Sequence, residues 1–344
     1  MGDNEKYCVD MLPKVSRTFA PTIQRLPKPL CLQVTVAYLL CRIADTIEDS
    51  TVLDIEQKQK LLEDYANIMK EHSSIKLNAF MKHIRLLPHE GCEYELVHNV
   101  PLILDVYNTF PQKVRKGISK WVFEMTTGMS KYVQSKNNSS QNFLSTFKEL
   151  DEYIYYVAGT VGNLITTLFS NYSQHITHNI SVTLRKYSES FGKGLQMVNI
   201  IRDMPDDWTC NRSYMPNELL KKYNLTRQSI FDMDNFQRGK TMLEELIQIA
   251  LSYLDAALQY IVTIPKAERS IRLACLLPLF WALKTLCDIK KNINRFFNKE
   301  KIKISRNSIR HELYAAYVNV FSNWLITRRY AKFRNEILGV SPVS

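Results

Sequence analysis

Twice in this chain three carboxylates stand at i, i+3 and i+4, each time closing an apolar run with helical spacing: Asp45, Glu48 and Asp49, then Asp203, Asp206 and Asp207. A helix brings such positions onto one face. Like charges at that spacing repel, and carboxylates near a helix C-terminus also oppose its dipole. The turn after the first triplet supplies no Lys or Arg to offset them. A lone DxxED is as well read as a solvated helix end. Two in one apolar chain suit a pair of helices facing one cavity, where hard Mg²⁺ bridges carboxylate and diphosphate oxygens.

The second triplet belongs to a longer polar stripe. Gln196, Asn199, Asp203 and Asp207 recur at close to four-residue intervals, with Leu195, Val198 and Ile201 expected on the opposite, apolar face. Pro205 inside the motif is expected to end or kink the helix. Arg17, Arg42, Arg202 and Arg212 lie within or beside these segments. Each is a candidate phosphate contact, because a guanidinium pairs bidentately with phosphate oxygens and stays charged in an apolar site.

The fold class follows from spacing and from what is scarce. The 344 residues include only 10 Gly, well under half the roughly 7% that is usual. Short alternating segments are also few, so a β-rich or doubly wound fold is excluded in favour of an all-α one. Helices are expected over 32–49, 55–69, 94–109, 114–133, 147–169, 182–203, 237–263, 266–290 and 306–337. QSKNNSSQ (134–141) reads as a connecting loop. No composition shift marks a boundary, so residues 1–344 are expected to form one helical domain.

The net charge is +11, but Lys and Arg are scattered, and the denser run from Lys290 to Arg306 reads as a solvated loop or helix end. No nucleic-acid partner is expected. Seven Cys show neither CxxC spacing nor a paired framework, which suits a reducing compartment. The start MGDNEKYCVD has no apolar core for a signal peptide, and Lys6 breaks the myristoylation pattern. The most apolar stretch, Leu273 to Leu283, contains Pro278 and is read as too short to span a bilayer. A cytoplasmic monomer is therefore expected, without a transmembrane anchor and with the basic 290–306 run available for peripheral contact with anionic lipid.

Six segments, the two acidic ones among them, carry a resemblance. VSRTFA (15–20), YLLCRIADTIED (38–49), YIYYVAGTVG (153–162), LQMVNIIRDMPDD (195–207) and NRSYMP (211–216) occur in the order seen in the squalene/phytoene synthase family, and ACLLPLFWALKTL (274–286) resembles a late helix of the squalene synthases within it. The resemblance covers roughly residues 15–286. It implies the isoprenoid synthase helical bundle around a central cavity. It also implies that Asp45, Glu48, Asp49, Asn199, Asp203, Asp206 and Asp207 bind Mg²⁺. Ser16, Arg17, Thr18, Phe19, Gln196, Asn199, Arg202 and Arg212 would hold the substrate. Tyr38, Tyr153, Arg42, Asp45 and Asp203 would carry the chemistry, with Tyr153 the better candidate for handling a proton near the departing diphosphate. Gly159 and Gly162 either thin a helix for a prenyl tail or serve close helix packing.

The reaction implied is head-to-head condensation of two farnesyl diphosphates to presqualene diphosphate, followed by reduction to squalene with NADPH. The chain departs from squalene synthases at Ala274, where they carry Phe, and this bears on the reductive half. Phytoene, dehydrosqualene and presqualene diphosphate synthases omit that step and remain alternatives. The family also includes a non-catalytic assembly factor that keeps the fold. Carboxylates at all six acidic positions argue against that role.

Overall fold

In a computed structural model, residues 2–16, 18–71, 73–135, 144–210 and 213–340 are described, and every regular element among them is helical. The chain divides into two compact units, one of Met1–Asn138 with Tyr155–Ser181 and one of Ser139–Ile154 with Val182–Ser344.

The first unit is built around the helix Leu30–Asp49. It contains neither Gly nor Pro, and Pro29 sits at its N-cap. Helices Asp3–Val15, Ala20–Ile23, Ile55–Glu71, Cys92–His98, Val100–Asn108, Gln112–Ser135 and Thr160–Tyr172 all pack on it. Burial on so many sides, not intrinsic propensity, holds this helix. The cation missing from its final turn comes from further along the chain: Lys58 Nζ donates to the Glu48 carbonyl at 2.8 Å. The Tyr65 hydroxyl donates to the Leu40 carbonyl at 2.9 Å and pins the next helix beside it.

The segment Tyr155–Gly159 is a π-helical turn leading into Thr160–Tyr172. Such a bulge needs room, and Gly128 on the helix Gln112–Ser135 provides it. A Cβ at Gly128 would stand 2.0 Å from Tyr156 Cγ. The Tyr155 hydroxyl, on the same turn, hydrogen-bonds the Glu124 carboxylate.

In the second unit the helix His178–Thr209 packs on Phe236–Thr263. Their close approach is at Gly194, where a Cβ would meet Leu254 and Tyr253 at 3.0 and 3.1 Å. Lys193 binds Asp151 at 2.9 Å and Glu189 at 2.6 Å, and the Tyr253 hydroxyl also reaches Asp151. Three helices are thereby joined around one half-buried carboxylate, which fixes the segment carrying Tyr153.

Several expectations are corrected. The helix His178–Thr209 runs on through Pro205. Met204 and Pro205 are both buried, and packing of that side outweighs the one backbone bond that Pro removes. The expected helix 306–337 is two helices, Arg306–Asn319 and Asn323–Leu338. The fully buried Arg272 takes up the break, donating to the Val320 carbonyl at 3.0 Å, the Ile264 carbonyl at 2.6 Å and Asn323 Oδ1 at 2.6 Å. The basic run 290–306 is only partly solvated: Phe296 and Phe297 are buried, and Gly239 leaves space for Phe297.

The expectation of a cytoplasmic chain without a transmembrane anchor is overturned. Leu30–Asp49, Met233–Thr263 and Arg269–Lys291 are each long and apolar enough to cross a membrane, with mean hydropathies of 1.5, 1.3 and 1.5. The last contains the stretch read as too short; the helix continues past Pro278 to 23 residues. They meet this by length and composition, and between 50% and 83% of each apolar window is buried within the protein.

Gly128→Ala is expected to destabilise the protein by about 1–3 kcal/mol, because Tyr156 and the π turn must move to admit one methyl group. A lowered thermal midpoint checks it, with Ala at the unhindered Gly2 as the control.

Candidate functional site

The first candidate face is a stripe of four residues. Between Gln33 and Ser50 only Tyr38, Arg42, Asp45 and Asp49 are not buried. Their spacing of 4, 3 and 4 residues places them along one line of the helix. Glu48, the third member of the triplet, is turned inward and buried. The sequence spacing therefore brings Asp45 and Asp49 together on the open face and sends Glu48 beneath it.

Charge on this face is unbalanced. Arg42 Nη1 lies 3.8 Å from Asp45 while Nη2 lies 3.5 Å from Glu93, so one guanidinium serves two carboxylates. Burial pushes the Asp45 carboxyl up to about 7; Arg42 pulls it down, but Asp49 and Glu48 push it further up. The Nε of Arg42 is buried and makes no hydrogen bond among the described residues. A surplus of oxygen donors beside an unsatisfied N–H fits a divalent cation carrying an oxyanion. Among the described residues no three His, Cys, Asp or Glu side chains already converge as metal ligands.

Residues of the VSRTFA segment extend this face. The Phe19 backbone N–H donates to Ser16 Oγ at 3.1 Å. The Phe19 ring meets Tyr38 with centroids 6.1 Å apart. Burial raises the Tyr38 phenol; Ser16, through a hydrogen bond, and Arg42 oppose the shift. Thr18 is exposed. Arg17 and Arg212 lie outside the described residues.

The second face lies on the helix His178–Thr209. Leu195, Gln196, Asn199, Arg202, Asp203, Asp206 and Asp207 are its half-exposed positions from 195 to 207. Leu195 is thus on the polar stripe and not opposite it, since a step of four from 195 reaches Asn199. Asn199 Nδ2 donates to Gln196 Oε1 at 3.4 Å. Each carboxylate here meets its own cation. Arg202 grips Asp203 with two N–H groups, one at 2.9 Å. Lys301 pairs with Asp206 and lies 3.6 Å from Asp203. Asp207 lies near Arg227, supporting the charge of a guanidinium that burial disfavours. Tyr153 is buried and stacks on Tyr214, centroids 5.3 Å apart.

Sequence spacing did not point to Glu93, Tyr214, Arg227 or Lys301. Tyr214 sits within NRSYMP and was within reach of motif reading; the other three arrive from distant segments by packing alone.

The helical architecture and its two acidic faces define a class of protein, and the comparisons give its family. The family model for squalene/phytoene synthase matches residues 12–308, and the chain belongs to that family. It is 28% identical over 304 residues to the squalene synthase of Schizosaccharomyces pombe (87% of this chain, 63% of that one) and 29% identical over 305 residues to that of Saccharomyces cerevisiae (86% and 64%). It therefore spans slightly less than two-thirds of the length of these relatives. Among solved structures, a ligand complex of TcSQS superposes with a TM-score of 0.82 at 20% identity, covering 100% of this chain and 94% of that one. That likeness shows the shared fold.

Asp45→Asn is expected to stabilise the metal-free protein at pH 8, by on the order of 1 kcal/mol for this part-exposed side chain. Burial and the neighbouring carboxylates of Asp49 and Glu48 oppose ionisation of Asp45 more than Arg42 favours it, so a neutral isostere relieves the face. A thermal melt in chelator, rising by a few degrees over the unsubstituted protein, checks the sign.

Proposed function

We propose that this chain is a Mg²⁺-dependent prenyl transferase of the squalene synthase type, coupling two farnesyl diphosphates head to head. The observation that carries this reading is the stripe Tyr38–Arg42–Asp45–Asp49, left open on a helix otherwise buried from Gln33 onward and short of positive charge. Membership of the squalene/phytoene synthase family supports it, as do the names of the relatives.

In this reading Asp45 and Asp49 would hold Mg²⁺ on the first helix, with Glu48 buried beneath them, and Asn199, Asp203, Asp206 and Asp207 would hold it on the second. Bound there, Mg²⁺ would supply charge neutralisation for a diphosphate that leaves with the electrons of its C–O bond. Arg42 adds a fixed charge and an unused N–H to the same task, with no reorganisation as charge develops. Ser16 and Tyr38 present hydroxyl donors beside it, and Phe19 offers an aromatic face to cationic carbon. The double bond of the second prenyl chain closes on the allylic carbon, and loss of a proton completes the cyclopropane of presqualene diphosphate.

Reduction to squalene with NADPH rests on the late helix ACLLPLFWALKTL and on the relatives. Ala274 favours a second reading, in which the product leaves before reduction. Its small side chain is half-buried within an otherwise buried stretch of that helix.

Incubation with farnesyl diphosphate and Mg²⁺, with and without NADPH, distinguishes these readings by product. Squalene appearing only with NADPH is the expected result. Presqualene diphosphate or dehydrosqualene in both arms supports the second reading, and no turnover rejects both. Asp45→Asn with Asp49→Asn is expected to lower kcat by at least about a hundredfold while the protein stays folded, since it removes charge aimed at the leaving group.

A further inference from the structure

Lys301 holds a position that the metal-binding reading assigns to a cation. Its ammonium pairs with Asp206 and stands 3.6 Å from Asp203, both proposed metal ligands on the same helix. The lysine comes from a loop about a hundred residues away, so its place there needs a structural reason. The short helix Ile293–Phe297 ends with Lys299 at φ 64°, a left-handed conformation uncommon for a side chain of this size. That residue reverses the chain: Lys299 N–H bonds the Phe296 carbonyl and Glu300 N–H the Arg295 carbonyl, each at 3.0 Å.

Two further contacts fix the loop on either side of the turn. Lys299 Nζ sits 3.7 Å from the ring centre of Trp208, the residue after Asp207. Arg295 Nε binds Glu300 at 2.8 Å. Beneath them Phe231 touches Trp208, Phe296 and Phe297, with ring centroids 5.8, 6.1 and 5.9 Å apart. An aromatic cluster thus docks the loop on the end of the acidic helix, and Lys301 is the residue delivered to the carboxylates.

We propose that Lys301 is a resident counter-ion of the Asp203–Asp206 face, which must be displaced before a divalent cation binds there. The proposal rests on reading that face as metal-binding. Half of its job is to neutralise two carboxylates that would otherwise repel on one helix turn. The other half is competition: an ammonium and a divalent ion cannot share the same oxygens. Lys301 remains part-exposed, so release into solvent costs little, and it is then free to meet the diphosphate that arrives with the metal. It is a positioning residue that sets the order of events.

The test measures Mn²⁺ binding to the full chain without any diphosphate, following free Mn²⁺ by electron paramagnetic resonance. The Asp45→Asn, Asp49→Asn background removes binding at the other face. Lys301→Gln is expected to bind Mn²⁺ about tenfold more tightly, the scale of removing one unit charge from a part-exposed pair. Lys301→Arg, which keeps the charge, is expected to stay near the parent value. Equal affinity in the Gln and parent proteins overturns the proposal. In that event Asp203→Asn separates the causes: if it weakens Mn²⁺ binding, the metal face stands and only the role of Lys301 falls. If it changes nothing, the metal reading falls as well. A melting transition unchanged in Lys301→Gln accompanies the expected result.

Discussion

The arrangement depends first on how completely the helix Leu30–Asp49 is enclosed. Among the described residues, helices from Asp3–Val15 to Thr160–Tyr172 pack around it, and burial of Leu39, Leu40, Ile43, Ala44 and Ile47 fixes its rotation. Once that rotation is set, only one line of the helix can remain open, and the residues on it are Tyr38, Arg42, Asp45 and Asp49. The apolar core therefore decides which polar groups are available for chemistry. It also denies Asp45 the solvation that would make its charge comfortable, which is why that carboxyl is pushed up to about 7. Stability and the demand for a cation arise from the same packing.

The second acidic face solves the same electrostatic problem differently. Where Arg42 divides itself between Asp45 and Glu93, the carboxylates of the helix His178–Thr209 each have a separate basic partner in Arg202, Lys301 and Arg227. Its charge is close to balanced by the protein's own cations, so under the proposal a divalent ion bound there would take the place of Lys301. Partners drawn from residues 227 and 301 show that this balance is a property of the tertiary fold and not of the motif.

What was legible in the sequence was whatever local periodicity controls. The all-helical class, the two acidic stripes and the helix bearing each followed from spacing. Where the reading failed, a tertiary contact outweighed a local rule. Pro205 is expected to end its helix, yet it is buried inside a helix whose packing tolerates a missing N–H, as is Pro278 within the helix Arg269–Lys291. The break at Val320 has no Pro or Gly to announce it; it exists because Arg272 claims that carbonyl from another helix. The apparent lack of a cation after the first triplet was true of the next turn and untrue of the fold, since Lys58 reaches back to the Glu48 carbonyl. Charge partners separated by ten to a hundred residues leave no periodic trace.

The environment of Tyr38 bears on how a proton is handled in the proposed reaction. Burial raises its phenol, and the nearby guanidinium and Ser16 hydrogen bond do not reverse the shift. A phenol held that way keeps its proton and serves as a donor to an oxyanion, so it is poorly suited to accept the proton whose loss closes a cyclopropane. Carboxylates holding metal, as proposed, would be poor acceptors too, because their lone pairs would be committed. The strongest remaining oxygen base in this chemistry is the departed diphosphate itself, which leaves with the electrons of the broken bond. Under that proposal Tyr38 and Arg42 would share one task on one helix face: holding the oxyanion where it forms, close to the carbon from which the proton must leave.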